Sequence, residues 1–234
     1  MLFSLYRTDI LPPSVISFVQ NEALLDHLKT VIGPDIVPLG ALNKARDTDP
    51  DLNGVKAVFI EASMARHMGE SLEIIKQVRA VNHGACIFVL MTHANGSSSV
   101  DYHIAGADYC IKLPANDQDI KSLLVRTLEE SHWNHTSLPL RLDRTKLHLC
   151  SATCTLELTL CEMMIIDTLL HAPHQVMSYE HIVKALASII VFYDSRALEK
   201  AISRLRTKIK NAHNLTLIFS VRSFGYRLRR SSVY

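Results

Sequence analysis

The sequence predicts an α/β domain, a doubly wound five-stranded parallel sheet, followed by a smaller α+β domain. Three observations predict it. Strand-like and helix-like runs alternate five times before residue 130. A polar, unpatterned stretch, Ser131 to Pro139 (SHWNHTSLP), then interrupts the pattern. Charge divides at the same place: residues 1–130 hold 11 basic and 16 acidic side chains (−5), and residues 131–234 hold 14 and 7 (+7). The expected organisation is therefore a domain over 1–130, a linker over 131–139 and a second domain over 140–234. A polyanionic partner suits the second domain and not the first.

Each element of the first domain follows from local pattern. Val15 to Val19 is a β-branched apolar run, and Glu22 to Ile32 is a helix that Gly33-Pro34 stops. Asp35 to Pro38 reads as a weak strand and Ala41 to Arg46 as a short helix. Lys56 to Ile60, Cys86 to Met91 and Tyr109 to Leu113 are further strands. Between and after them come helices over Ser71 to Val81, up to Gly106, and over Asp117 to Glu130. Such repeats carry functional groups on the loops beyond the carboxyl ends of the strands.

In the second domain, Leu140 to Leu158 reads as short antiparallel strands. Thr159 opens a helix, with Glu162 completing a capping box. Ser178 caps a second helix through Leu186, and Asp194 or Ser195 caps a third over Arg196 to Lys210. On that third helix Leu198, Ile202, Leu205 and Ile209 share one stripe, while Arg196, Lys200, Arg204 and Lys208 point away. Between Arg196 and Arg230 stand ten Lys/Arg and a single acid, Glu199. Such a helix buries one side and offers positive charge to a polyanion; the plainer alternative is a solvated face. The strands Leu217–Val221 and Tyr226–Leu228 around the turn Arg222-Ser223-Phe224-Gly225 favour the first reading. Strands, three helices and a hairpin make a winged helix-turn-helix.

Composition narrows the function classes. The chain is 48% apolar, enough for a real core. No apolar run approaches the roughly 18 residues that span a bilayer. The start, MLFSLYRTDILPP, lacks the basic opening, apolar core and cleavage site of a secretory leader. Five cysteines without a CxxC pair fit a reduced, cytoplasmic setting. No phosphate loop or serine elbow is present, so no enzymatic activity is expected. Cys150, Cys154 and Cys161 with His132, His135 and His148 match no zinc spacing, so neither metal nor other cofactor is expected.

The second half closely resembles the DNA-binding domain of OmpR/PhoB-type response regulators. The resemblance rests on Leu158-Thr159-Leu160-Cys161-Glu162, Val176-Met177-Ser178, Ile202-Ser203-Arg204-Leu205-Arg206 and Val221-Arg222-Ser223-Phe224-Gly225-Tyr226-Arg227-Leu228. It implies double-stranded DNA as partner, with the third helix in the major groove and the wing on the adjacent minor groove or its phosphates. Carried over, Lys200, Ala201 and Arg204 face base edges, Arg196 and Lys208 hold phosphates, and Arg222 is the wing arginine. An arginine fork reading guanine supplies ~1–3 kcal/mol of discrimination, whereas Ala201 offers only a methyl. Phe224 and Tyr226 read better as pins holding the hairpin to the core than as stacking residues. The apolar loop 187–193 is implied to face RNA polymerase; an interdomain or dimer contact accounts for it equally well.

The first half is similar to the receiver domain of the same regulators, with departures. Gln20-Asn21 stands where the family has an acidic pair, Glu61 where it has the phospho-accepting aspartate, and Thr92 at the switch threonine. Gly69, Ala105-Gly106-Ala107-Asp108 and Leu113-Pro114 also match in place. Receivers hold magnesium with three acids and grip the acyl phosphate with a lysine. Here Gln20 and Asn21 are neutral, and a hard cation binds poorly without carboxylates. Glu61 is one methylene too long, Leu113 replaces the lysine, and Lys112 faces the other way along a strand. Cys110 replaces the aromatic switch residue. Gln20, Asn21, Glu61, Thr92 and Leu113 thus form a degenerate phospho-pocket, in which Glu61 either imitates an activated state or plays no signalling part.

The expectation is a sequence-specific transcription regulator acting largely independently of aspartate phosphorylation. The resemblance implies a homodimer, paired through the helix before Gly106, the last strand and the helix from Asp117, reading half-sites ~10–10.5 base pairs apart. The alternatives are a conventional phosphorylation-dependent two-component regulator, a module that sequesters a partner regulator without binding DNA, and redox or ligand sensing through Cys86 or Cys110.

Overall fold

The computed structural model describes residues 14–38, 52–62, 68–92, 99–131, 133, 139–187 and 195–234. Strands β1 (Val15–Phe18), β2 (Ile36–Pro38), β3 (Ala57–Ala62), β4 (Cys86–Met91) and β5 (Tyr109–Lys112) form one parallel sheet in the order β2-β1-β3-β4-β5. Helices α1 (Glu22–Ile32), α2 (Met68–Val81), α3 (Ser99–Ala105) and α4 (Asp117–Ser131) cover it. Alternation along β3 and β4 assigns the two faces. Val58, Ile60, Ile87 and Val89 pack with α2 and α3, and Ala57, Phe59, Phe88 and Leu90 with α1 and α4. Both faces are buried, as a parallel sheet demands. Asn21 caps α1 by accepting from the Leu24 amide, and Gly33 ends it with φ of 122°. The chain changes direction between β1 and β3, so the carboxyl ends of those strands open a crevice.

The second domain begins with an antiparallel sheet of β6 (Arg141–Asp143), β7 (His148–Cys150) and β8 (Thr155–Glu157). Helix α5 (Leu160–Leu170) opens with the expected capping box between Thr159 and Glu162. After a single 3-10 turn over Pro173–Gln175 come β9 (Val176–Ser178) and α6 (Tyr179–Leu186), capped by Ser178. The long α7 (Ser195–His213) and the strands β10 (Ile218–Val221) and β11 (Gly225–Leu228) finish the domain. A sheet ordered β10-β11-β9 lies against the helices, so the domain is a winged helix. Its core takes Leu198, Ile202, Leu205 and Ile209 from α7, with Ile165, Ile166, Ile182 and Leu228. Burying four such side chains contributes about 1.5–3 kcal/mol each before entropy is counted.

Strand β9 was not expected from the sequence, where Val176–Ser178 serves only to open a helix. Three residues carry too little pattern to declare a strand; pairing with β11 makes it one. The expected helix at Ala41–Arg46 and most of the linker lie outside the described residues. No described helix is long and apolar enough to cross a membrane.

Candidate nucleic-acid interface and receiver-like pocket

Helix α7 is divided as its periodicity requires. Leu198, Ile202 and Leu205 are fully buried, which turns Arg196, Lys200 and Arg204 outward as exposed cations. Arg222 stands exposed in the turn between β10 and β11, where Ser223 takes φ of 60° and the Phe224 amide donates to Val221. The helix and this turn flank an open groove of about 710 Å³ lined in part by Glu180, Glu199, Arg222 and Phe224. Ala201 is half-buried and packs against the core, so its methyl is largely spent inward.

Lys208, expected to hold a phosphate, also has a partner within the domain. Its ammonium donates to Glu162 at 2.8 Å, tying α7 to the first turn of α5. Burial works to raise the Glu162 carboxyl, but Lys208 and the Thr159 amide outweigh it and hold it below the usual range. Glu162 therefore serves the cap and the ion pair together. Arg206 is a structural residue that sequence reasoning missed. Its guanidinium donates to the Ile218 carbonyl at 2.8 Å and the Ser220 hydroxyl at 2.9 Å, and sits 5.5 Å from the Tyr226 ring. It ties α7 to the hairpin. Tyr226 is buried in the core, as expected of a pin.

In the first domain three of the five expected pocket residues share one cavity. Asn21, Thr92 and Leu113 line a cavity of about 310 Å³ together with Leu24, Pro114 and Asp117. Glu61 reaches across from β3, and its Oε2 accepts from the Gln20 amide at 2.8 Å and the Asn21 amide at 3.0 Å. The carboxylate thereby satisfies two backbone donors of the loop after β1. Leu113 is buried while Lys112 is exposed, so the lysine is turned out of the pocket as strand alternation predicts. Among the described residues no cluster of three or more His, Cys, Asp or Glu could hold a metal.

A junction between the domains was not visible in the sequence. Asp108 accepts from Arg79, from the Ile87 amide at 2.9 Å and, across the junction, from Arg230 at 3.2 Å. Burial alone would raise its carboxyl; Arg79, Arg230 and Arg227 prevail and hold it below the usual carboxylate range. Arg229 donates to the Ser131 carbonyl at 2.6 Å, and Arg230 also reaches the carbonyls of His174 and Gly106. Tyr109 packs edge-on to Phe219 at 5.9 Å. Part of the face that the resemblance assigns to dimerisation is thus occupied by the chain's own hairpin. Burial raises the thiol of Cys86 well above its ordinary value and that of Cys110 to about 12.

Two histidines near the junction are expected to make it sensitive to acid. His103 on α3, its ring 3.0 Å from the Ala107 carbonyl, is lowered first by burial and then by Arg227, against Ala107 and Asp108. His174 is lowered by burial, then by Arg230, Arg79 and His83. Separation would relieve His103 of Arg227, and His174 of Arg79 and His83, so the separated state takes up protons more readily than the docked one. Docking should hold above about pH 6.5 and weaken as pH falls toward the lowered docked values. Small-angle scattering between pH 7.5 and 5.0 should show the radius of gyration rising; a constant value would refute this.

Residues 153–228 match the family described as "Transcriptional regulatory protein, C terminal". Over 220 residues the chain is 26% identical to the two-component response regulator PhoP of Pseudomonas aeruginosa, covering 89% of this chain and 95% of that protein. Over 198 residues it is 27% identical to the response regulator MprA of a Mycobacterium species, covering 82% and 83%. The solved structure of DrrB, a Thermotoga maritima OmpR/PhoB homologue, aligns over 92% of this chain and 96% of its own at 16% identity and a TM-score of 0.35.

Proposed function

From a chain homologous to the OmpR/PhoB-type response regulators, with their C-terminal module at residues 153–228, we propose a sequence-specific DNA-binding transcription regulator that works without aspartate phosphorylation. The observation that carries the DNA reading is the outward basic face of α7, Arg196, Lys200 and Arg204, with Arg222 on the wing beside it. Arg204 reads a base edge, Arg196 and Lys200 hold or read the groove, and Arg222 enters beside them. Lys208, engaged with Glu162, is assigned to the scaffold instead. Two copies reading half-sites ~10–10.5 base pairs apart complete the arrangement.

The position of Glu61 supports independence from phosphate. A receiver needs an aspartate open to attack and acids to hold magnesium. Here the carboxylate at the acceptor position is engaged with the Gln20 and Asn21 amides, and those two side chains bring no charge. With neutral side chains at Gln20 and Asn21, a hard divalent cation would find fewer carboxylates there than it needs.

Selection of binding sites from random DNA, followed by affinity against salt, tests both halves. Affinity should fall steeply and log-linearly as salt rises. Arg204→Ala should lose ~1–3 kcal/mol of discrimination at one base pair, with the rest of the site still read. A small phosphodonor with magnesium should leave intact mass and affinity unchanged. Absence of any preferred site would end the DNA reading; a stoichiometric phosphoryl adduct that tightens binding would end the phosphate-free one.

A further inference from the structure

We propose that the receiver-like domain is a brace for the wing, with Asp108 and Tyr109 as positioning residues that set where the Arg222 turn stands relative to α7. The proposal rests on the DNA-binding reading for its purpose and on the junction for its mechanism.

The hairpin is covered on both faces. Its register pairs Ile218 with Leu228, Phe219 with Arg227 and Ser220 with Tyr226. Alternation puts Ile218, Ser220, Tyr226 and Leu228 on one side, toward the helices, where three are buried and Ser220 receives Arg206. Phe219 and Arg227 occupy the other side, and in a lone winged helix that side would meet water. Here it meets β5. The Arg227 guanidinium lies 4.2 Å from the centroid of Phe219 and 4.7 Å from that of Tyr109, and the residue is only 4% exposed. A cation so enclosed must be compensated, and two aromatic faces with Asp108 nearby supply the compensation.

The contact continues into the sheet. Tyr109 stacks on Phe88 at 5.1 Å and Phe88 on Phe59 at 4.8 Å, so an aromatic row crosses β5, β4 and β3 and ends at the hairpin. Immediately after β11, Arg229 and Arg230 grip Ser131 and Asp108. The base of the wing is therefore held from one side by α7, through Arg206, and from the other by the receiver-like domain. The turn at Arg222 projects beyond both supports. Arg196, Lys200, Arg204 and Arg222 all remain exposed in this docked form, so docking leaves these cations open to solvent. Changes in β5 reach the wing directly, with no phosphate involved.

The test uses the intact chain with Tyr109→Leu, which removes the ring, and Tyr109→Phe, which keeps it. Without DNA, amide exchange over residues 217–228 should quicken about tenfold or more in Tyr109→Leu, stay near wild type in Tyr109→Phe, and remain unchanged in β3. With the selected DNA, Tyr109→Leu should weaken binding several-fold beside Arg222 but add almost nothing to Arg222→Ala, since both remove the same wing contact. Hairpin exchange indifferent to Tyr109→Leu, or losses that multiply independently, would overturn the brace. A wild-type protein that prefers no DNA would defeat the functional reading alone, while hairpin exchange would still decide whether the brace exists.

Discussion

Asp108→Ala should cost about 3–5 kcal/mol of unfolding free energy, the size expected when one partner of a buried ion pair is deleted. Three donors converge on this carboxylate, from Arg79, the Ile87 amide and Arg230, and both Asp108 and Arg79 are almost wholly enclosed. Without it the Arg79 charge keeps only carbonyls, those of Gly106, Ala85, Asn82 and His83, and remains buried. Arg230→Ala should be far milder, because Arg230 is partly exposed and its loss leaves Asp108 still paired with Arg79. Denaturant unfolding of the two variants checks the asymmetry, and equal losses would refute the assignment. The pH sign follows from the depressed carboxyl. The Asp108 contribution is present above the unfolded value of about 3.9 and is lost as pH falls through the lower folded value. The wild-type advantage over Asp108→Ala should therefore persist at pH 5 and shrink only in strong acid.

What was legible in the sequence is what depends on short-range geometry. The stripe Leu198, Ile202, Leu205 and Ile209 encodes a buried helix face by spacing alone, and all four are buried. Thr159 with Glu162, and the opposition of Lys112 to Leu113, are equally local, and both appear as expected. The sequence named Gln20, Asn21 and Glu61 together, but not the hold of Glu61 on the amides of Gln20 and Asn21, which reaches from β3 to the loop after β1. The basic run after Arg196 misled in a particular way. Net charge identifies cations without identifying their partners. Arg206 turned to the hairpin, Lys208 to Glu162, and Arg227, Arg229 and Arg230 to the first domain. Which way each side chain points depends on the β10–β11 register and on a surface more than ninety residues away in sequence, as for Arg229 and Ser131 (|i−j| = 98). No single-chain pattern carries that information.

Gly225→Ala should disable the wing. Gly225 stands opposite Ser178 where β11 pairs with β9, and the strands approach too closely for a side chain. A Cβ there would overlap the Met177 carbonyl oxygen and stand 2.7 Å from the Tyr179 amide nitrogen and 2.8 Å from the Ser178 carbonyl carbon. All three obstacles are backbone, so no rotamer change relieves them. Either β11 parts from β9, or the hydrogen bond from Tyr179 to the Phe224 carbonyl, 2.9 Å long, breaks. Overpacking usually costs ~1–3 kcal/mol, and a backbone clash belongs at the upper end or beyond. The turn carrying Arg222 immediately precedes Gly225, so DNA affinity should fall with stability. Gly69→Ala is the matched control: it lies in the first turn of α2 with nothing within 4 Å, and it should leave the melting temperature unchanged or raise it slightly. If thermal melting and DNA titration put the two substitutions on the same footing, the close approach of β9 to β11 does not hold the wing.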